Sequence, residues 1–259
     1  MGKGNRGVMM SDLCYDVKTS GKGSAMPADL VSVLSLDLPA FVIGIGIHEF
    51  MHAFVADRLG DKTPREQGRV NLNPIEHLDP IGTILPLYLS LVGSPMAFGW
   101  GKPVEIDPRN FKNPDRGYGM VALAGPLGNL AVCFIVGLSL HWAFGSPWAM
   151  SAATNPAGNY VFRLLFKVFT LNLGLFLFNL IPIPPLDGSK VLMWLGGKPV
   201  REKFEQIQPY SLFLLMGFLM LRLDQVFLTK PFVMITVWFT GMDMAPYVFM
   251  PARFVADFL

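Results

Sequence analysis

Residues 43–56 read IGIGIHEFMHAFVA, an HExxH motif set in an otherwise apolar run. Side chains four residues apart lie on one face of an α-helix, so His48 and His52 can direct two ring nitrogens at the same metal ion. Glu49, beside them, is the candidate catalytic base. A helix on a water-soluble protein would be amphipathic, whereas the neighbours here are apolar on every side. The stretch therefore predicts a metal site on a helix inside a lipid bilayer.

The composition of the whole chain agrees with that setting. Hydrophobic residues make up 52% and charged residues only 15% of the 259 positions, against roughly 25% charged in a soluble domain. A formal net charge of +2 is too small to predict binding to nucleic acid. The two cysteines, Cys14 and Cys133, provide neither a disulfide framework nor a thiolate metal site. The composition is that of an integral membrane protein.

Apolar segments follow one another along most of the chain. Segments I to VI are residues 38–56, 80–101, 120–142, 164–184, 209–221 and 231–247. A helix needs about 20 apolar residues to span a bilayer, and segment V is short for a span. We therefore expect an all-α polytopic membrane protein with five to six membrane segments. Residues 1–30 predict a flexible N-terminal tail without a signal peptide, and residues 31–259 predict a single membrane domain.

Three stretches are expected to depart from a regular helix. Segment II carries Gly82, Pro86, Gly93 and Pro95, so it predicts a broken membrane segment, which needs protein or water to satisfy its freed backbone groups. Residues 98–104 predict an extended or looped strand, and the alternation VNLN at 70–73 predicts another short strand. In segment III, the small residues of AGPLGN at 124–129 predict close approach of a second backbone.

The distribution of charge predicts the orientation of the later segments. Basic loops at 102–116 and 190–203 are expected on the cytoplasmic side, and the uncharged connection at 144–159 on the outer side. Charge leaves the first half of the chain open, because the tail and the loop at 58–69 each carry four Lys or Arg residues. If Asp187 completes the metal site with His52, both lie at the cytoplasmic side, and segment II must enter and return.

Three motifs in order resemble the site-2 protease family of intramembrane zinc metalloproteases. They are HEFMH at 48–52, AGPLGN at 124–129 and NLIPIPPLDG at 179–188. LNPIEHLDPIG and FGWGKPV extend the resemblance to about residues 41–192 and are similar to a small prokaryotic branch. The resemblance implies a three-helix catalytic core at about 38–192, no PDZ or CBS domain, and a multi-pass protein of the prokaryotic plasma membrane.

The resemblance also implies roles for particular residues. His48, His52 and Asp187 would bind one zinc ion, and Glu49 would be the catalytic acid and base. Asn129 would hold the backbone of a transmembrane protein substrate, and the edge at 98–104 would dock the unwound substrate, with Gly99, Trp100 and Gly101 as substrate-binding residues. Met51 departs from the family pattern, in which a small residue is usual, and this concerns helix packing rather than metal binding.

Two kinds of alternative remain open. His77, with Glu76 and Asp79 around it, could replace Asp187 as the third metal ligand, although this stretch more readily predicts a turn whose side chains bond their own backbone. As for function, the chain could be a membrane zinc transporter or channel, since polar groups in lipid also mark ion paths. It could also be a catalytically silent scaffold that binds membrane segments. The intact HExxH motif favours the peptidase.

Overall fold

A computed structural model describes residues 31–91, 99–146 and 155–240. Every regular element in these ranges is helical, and the predicted all-α class is confirmed. The α-helices of ten or more residues are α1 (Leu38–Leu59), α2 (Pro80–Leu91), α3 (Pro114–Gly145), α4 (Pro156–Asn179), α5 (Asp187–Ile207), α6 (Ser211–Met220) and α7 (Leu223–Thr240), and a short helix comprises Thr63–Glu66. The predicted tail at 1–30, the end of segment VI and much of the connection at 144–159 lie outside the described residues.

Helix α3 is the central element and packs against α1, α4 and α5. Its first turn is capped by Asn113, whose side chain accepts a hydrogen bond from the Arg116 N–H, and Pro114 follows at a position that needs no donor. Asn155 caps α4 in the same way. Where α3, α4 and α7 meet, the fully or nearly buried residues are Cys133, Leu140, Phe169, Leu173, Phe232 and Phe239.

Three helices are long and apolar enough to cross a membrane within the described part of the chain. They comprise residues Val33–Leu59, Pro114–Ala143 and Pro156–Asn179, and they pack on one another as α1, α3 and α4. The apolar helices Pro80–Leu89 and Val226–Thr240 are shorter. A core of three long helices thus agrees with the expectation, while the count of five to six membrane segments stays a prediction.

Helix α2 covers only the first half of segment II and contains Pro86. Residues 92–98 lie outside the described residues, so the re-entrant course of segment II also stays a prediction. The described residues resume at Gly99. The backbone N–H of Trp100 donates to the carbonyl of Gly82 in the first turns of α2. The end of segment II therefore lies against the start of α2.

Two short strands were expected, and neither forms in the described residues. At 70–73 the strand prediction is wrong because asparagine side chains bond the local backbone: Asn71 accepts from the Asn73 N–H and Asn73 from the Ile75 N–H. A 3-10 turn, Pro74–His77, follows. In the described part of 98–104, the pairing is one isolated antiparallel bridge between Leu78 and Gly101. Turn-forming side chains compete here with the strand ladder.

The basic stretch at 190–203 was expected to be a loop but belongs to helix α5. Gly197 bends this helix with a φ of +65°, a conformation that glycine adopts at little cost. The glycines and Pro199 suggested a loop, but α5 is held by packing on α3 and by an ion pair between Arg201 and Asp115 at the start of α3. The basic side chains thus lie on a helix that packs against α3.

Candidate metal centre and active site

Three side chains from two helices converge on one point. His48 and His52 lie one turn apart on α1, and Asp187 is the first residue of α5. His48 Nε2 and His52 Nε2 are 3.1 Å apart, and they lie 3.2 Å and 3.1 Å from Asp187 Oδ2. Among the described residues, this is the one group of three or more His, Cys, Asp or Glu side chains close enough to share a metal ion.

The outer nitrogens of both histidines are already bonded. His52 Nδ1 lies 2.7 Å from the carbonyl oxygen of Val121, which can only accept, so Nδ1 carries the proton. His48 Nδ1 lies 2.7 Å from Asn129 Oδ1 and donates to it in the same way. In neutral rings, both Nε2 atoms therefore direct lone pairs at each other and at the Asp187 carboxylate. Three such atoms repel one another unless a cation lies between them.

The donor set and its spacing fit zinc. Two neutral imidazoles and a carboxylate form one of the usual three-ligand sets of catalytic zinc, which leaves a fourth position open. For bonds of about 2.0–2.1 Å, tetrahedral ligands lie about 3.3 Å apart, close to the separations of 3.1–3.2 Å found here. The residues present can therefore hold a zinc ion with little rearrangement.

The proline-rich turn between α4 and α5 positions Asp187. The turn is closed by hydrogen bonds from the Leu186 N–H to the Ile183 carbonyl and from the Ser189 N–H to the Leu186 carbonyl. Gly188 lies against the end of α4, where a Cβ atom would be 2.5 Å from the carbonyl carbon of Leu180. The glycine of the Asp-Gly pair is therefore required by close backbone packing beside Asp187.

Helix α3 lies close to α1 because of glycines in AGPLGN, as predicted. A Cβ atom on Gly125 would lie 2.6 Å from His52 Cε1, and a Cβ atom on Gly128 would lie 2.6 Å from Met51 Cγ. The small residue expected at position 51 is therefore supplied from the opposite helix by Gly128. This contact accounts for how the bundle accommodates Met51.

A cavity of about 450 Å³ opens beside the three converging residues. Glu49 lines it together with His48, His52 and Asp187, and most of the remaining wall is apolar. Gly99, Trp100 and Gly101 also line it, and Gly101 lies directly against Glu49, since a Cβ atom on Gly101 would be 3.0 Å from Glu49 Cγ. The structure thus brings the candidate base, the candidate ligands and the predicted docking loop to one cavity.

Lys190 and Asn179 are cavity residues that the sequence did not single out. Lys190 Nζ lies 3.0 Å from Asp187 Oδ1, while the other carboxylate oxygen faces the histidines. Lys190 is three residues after Asp187, so reading this stretch as a helix would have placed the two on one face. Asn179 opens the motif NLIPIPPLDG, and its amide donates to the carbonyl of Leu175. The position of Asn179 at the start of that motif is the sequence feature from which its place at the cavity could have been predicted.

His77 and Asn129 lie elsewhere than at the cavity. His77 is fully buried, with Nε2 2.9 Å from the carbonyl oxygen of Asn71, and is not part of the converging group. This geometry favours Asp187 as third ligand. Asn129 is also fully buried, and its Oδ1 accepts a hydrogen bond from His48 Nδ1. Its expected role in holding substrate stays a prediction.

Comparison with known proteins finds one family model and several related proteins. The family model described as Peptidase family M50 matches residues 142–220. YwhC of Bacillus subtilis (strain 168) is 38% identical over 185 residues, which cover 71% of this chain and 78% of that protein. Rip2 of Mycolicibacterium smegmatis is 31% identical over 167 residues, or 64% of this chain and 59% of that protein. MJ0611 of Methanocaldococcus jannaschii is 28% identical over 165 residues, or 63% and 73%. The names of all three describe zinc metalloproteases. No solved structure matches the chain significantly.

Proposed function

Because the chain belongs to peptidase family M50, the site-2 proteases, we propose that it is an intramembrane zinc endopeptidase. It hydrolyses peptide bonds in or near the transmembrane segments of membrane protein substrates. The observation that carries the proposal is the convergence of His48, His52 and Asp187 between apolar helices, with Glu49 on the wall of the same cavity. Ionisable groups are costly in such surroundings and are retained there for function.

His48, His52 and Asp187 hold the metal in this proposal. When bound, zinc supplies a Lewis acid that polarises the scissile carbonyl and lowers the pKa of a water molecule toward about 7. Lys190 bonds the carboxylate oxygen of Asp187 that faces away from the histidines. This bond keeps the carboxylate turned so that its other oxygen points at both imidazoles.

Glu49 moves the proton. Its carboxylate takes a proton from the attacking water and passes it to the nitrogen of the leaving amine, as a general base and then a general acid. Glu49 is next to His48 in the chain and lines the cavity in which a substrate carbonyl would lie. A neutral amide at this position could not accept the proton.

The substrate must unwind before attack, because a helix shields its peptide bonds with its own hydrogen bonds and side chains. Docking in an extended form replaces the lost bonds. Gly99, Trp100 and Gly101 are the proposed docking residues, because they line the same cavity as Glu49 and Gly101 lies next to it. The mostly apolar wall suits the side chains of a transmembrane segment.

We place the enzyme in the prokaryotic plasma membrane as a multi-pass protein with its active site toward the cytoplasm. His52 lies near the C-terminal end of α1, and Asp187 follows the C-terminal end of α4, so both belong to one end of the bundle. The basic residues Lys198, Arg201 and Lys203 follow on α5. Basic residues near membrane helices favour the cytoplasmic side.

The test is co-expression with a panel of single-span membrane proteins, with the cut mapped in any substrate found. Wild type is compared with Glu49→Gln, and zinc is measured in both purified proteins. Loss of a general base lowers the rate by about 10²–10⁴-fold, so Glu49→Gln should retain zinc and lose cleavage. Glu76→Gln is the matched control, because Glu76 is exposed on the 3-10 turn. Cleavage by Glu49→Gln at the wild-type rate, with zinc retained, would overturn the role of Glu49.

A further inference from the structure

A buried chain of side-chain amides leads away from the candidate metal centre. His48 Nδ1 lies 2.7 Å from Asn129 Oδ1 on α3, and Asn129 Nδ2 lies 2.8 Å from Asn172 Oδ1 on α4. Asn172 Nδ2 in turn lies 2.8 Å from the carbonyl oxygen of Val168. Both asparagines are fully buried, and His48 is 6% exposed. Neither asparagine lines the cavity.

Two backbone carbonyls determine how this chain is oriented. The Val168 oxygen can only accept, so Asn172 must offer its NH₂ group there and turn Oδ1 toward Asn129. The Gly44 oxygen can only accept as well, and Asn129 Nδ2 lies 2.9 Å from it. Asn129 must therefore donate to Gly44 and Asn172, which leaves its Oδ1 for His48. An acceptor at that place requires a proton on His48 Nδ1.

We infer that Asn129 and Asn172 are positioning residues that hold His48 in the tautomer with Nδ1 protonated and Nε2 open toward the metal. The inference rests on the proposed function only in taking zinc as the metal. The outer bond of a histidine ligand sets its tautomer and ring orientation, and losing such a partner typically lowers metal affinity. Asn172 touches neither the metal ligands nor the cavity, yet its oxygen decides which end of the Asn129 amide faces His48.

This role also occupies the polar atoms of Asn129. Both hydrogens of its amide have acceptors, Gly44 and Asn172, and its oxygen has a donor in His48. Because the side chain is fully buried, a substrate could reach it only after these bonds had broken.

The two histidines differ in the kind of group that bonds their Nδ1 atoms. His52 is held by the backbone carbonyl of Val121, which no substitution removes, whereas His48 is held by side chains that substitutions can change.

The first experiment measures zinc affinity of the purified full-length protein by competition with a chelator. Asn172→Leu removes the acceptor that orients Asn129, so zinc should bind about tenfold or more weakly. Asn172→Asp gives up the donor to Val168 but keeps an oxygen that accepts from Asn129, so its zinc affinity should lie between those of Asn172→Leu and wild type. Thr170→Val is the control, because Thr170 is equally buried on α4 but bonds only carbonyls of its own helix.

A purely structural role predicts the opposite order of the two Asn172 variants, since a buried aspartate disturbs an apolar bundle more than leucine does. Zinc affinity of Asn172→Leu that equals or exceeds that of Asn172→Asp would overturn the inference. So would an equal loss in Thr170→Val. These readouts do not depend on a substrate, so a failure to detect peptidase activity leaves them intact.

The second experiment reads the tautomer itself in the zinc-free protein by ¹⁵N NMR of the imidazoles. The chain has only four histidines, so His77→Gln and His141→Gln spectra would assist assignment. In wild type, His48 should carry its proton on Nδ1, and in Asn129→Leu it should populate both tautomers. A wild-type His48 protonated on Nε2 would overturn the inference, even if the Asn172 variants did not fold.

Discussion

Gly125 of α3 lies against the imidazoles of α1: a Cβ atom at this position would be 2.6 Å from His52 Cε1 and 2.8 Å from His48 Cε1. A helix cannot move one residue without moving its neighbours, so even a methyl group here would push α3 away or turn the rings. The metal centre therefore depends on a residue that has no side chain and ligates nothing.

The first prediction concerns this contact. Gly125→Ala should lower zinc content and abolish cleavage, because displacement of the rings separates Nε2 of His48 and His52 from the Asp187 carboxylate. Gly217→Ala on α6 is the matched control, since a Cβ atom there meets nothing within 4 Å. Zinc content after purification in detergent provides the measurement. Full zinc occupancy and activity in Gly125→Ala would contradict the prediction.

A second prediction concerns the pair Met51 and Gly128. Gly128→Ala should lower the thermal unfolding temperature, because the new methyl group meets Met51 Cγ and overpacking typically costs about 1–3 kcal/mol. Met51→Ala removes the obstructing atom, so the double variant should be more stable than the sum of the two single changes predicts. Thermal unfolding of all four proteins in one detergent gives the coupling. Strict additivity would show that the contact does not constrain the helices.

A third prediction separates the two candidate third ligands. Asp187→Ala should lose most of its zinc, because one of three protein ligands is removed. His77→Gln should keep its zinc, because His77 lies outside the converging group, and Gln can still donate to the Asn71 carbonyl. Metal content and circular dichroism of both variants would be measured. Full occupancy in Asp187→Ala together with loss in His77→Gln would reverse the assignment.

A fourth prediction concerns Asp61, which ties the turn after α1 to the loop before α3. Its carboxylate accepts hydrogen bonds from Thr63, from the Asn110 amide and from the Asp107 N–H. Burial raises the pKa of Asp61, but these bonds outweigh burial and hold the pKa below its ordinary value. Asp61→Ala should lower the free energy of unfolding at pH 7 by about 1–3 kcal/mol.

The sign of the pH dependence follows from the lowered pKa. The stability that ionised Asp61 contributes is fully present above its ordinary pKa of about 3.9, and it is lost as the pH falls through the folded-state pKa. The difference between wild type and Asp61→Ala should therefore shrink below about pH 3.9. Unfolding temperatures at a series of pH values would test this, with Glu66→Ala, an exposed change on the short helix Thr63–Glu66 that follows Asp61, as control. A difference independent of pH would rule out the carboxylate as its source.

Several features were predictable because they depend on residues close in the chain. The spacing of His48 and His52 places both rings on one face of any helix, and apolar composition predicts a membrane protein whatever its topology. The asparagine-rich turn before His77 was partly predictable, because its side chains bond the nearby backbone, yet the strand prediction at 70–73 was wrong. The loop prediction at 190–203 was also wrong, because its helix depends on packing against α3 and not on local preference alone.

By itself, the sequence determined the helical class, the membrane setting, the two candidate histidine ligands with their neighbouring glutamate and, through its resemblance to a family, the candidate third ligand. Only the tertiary structure decided what lies around them. Asn172 is 43 residues from Asn129, and Asn129 is 81 residues from His48, so no local pattern joins them. The contact between Asn129 and His48 forms because glycines let α3 approach α1 closely enough for buried side chains to meet.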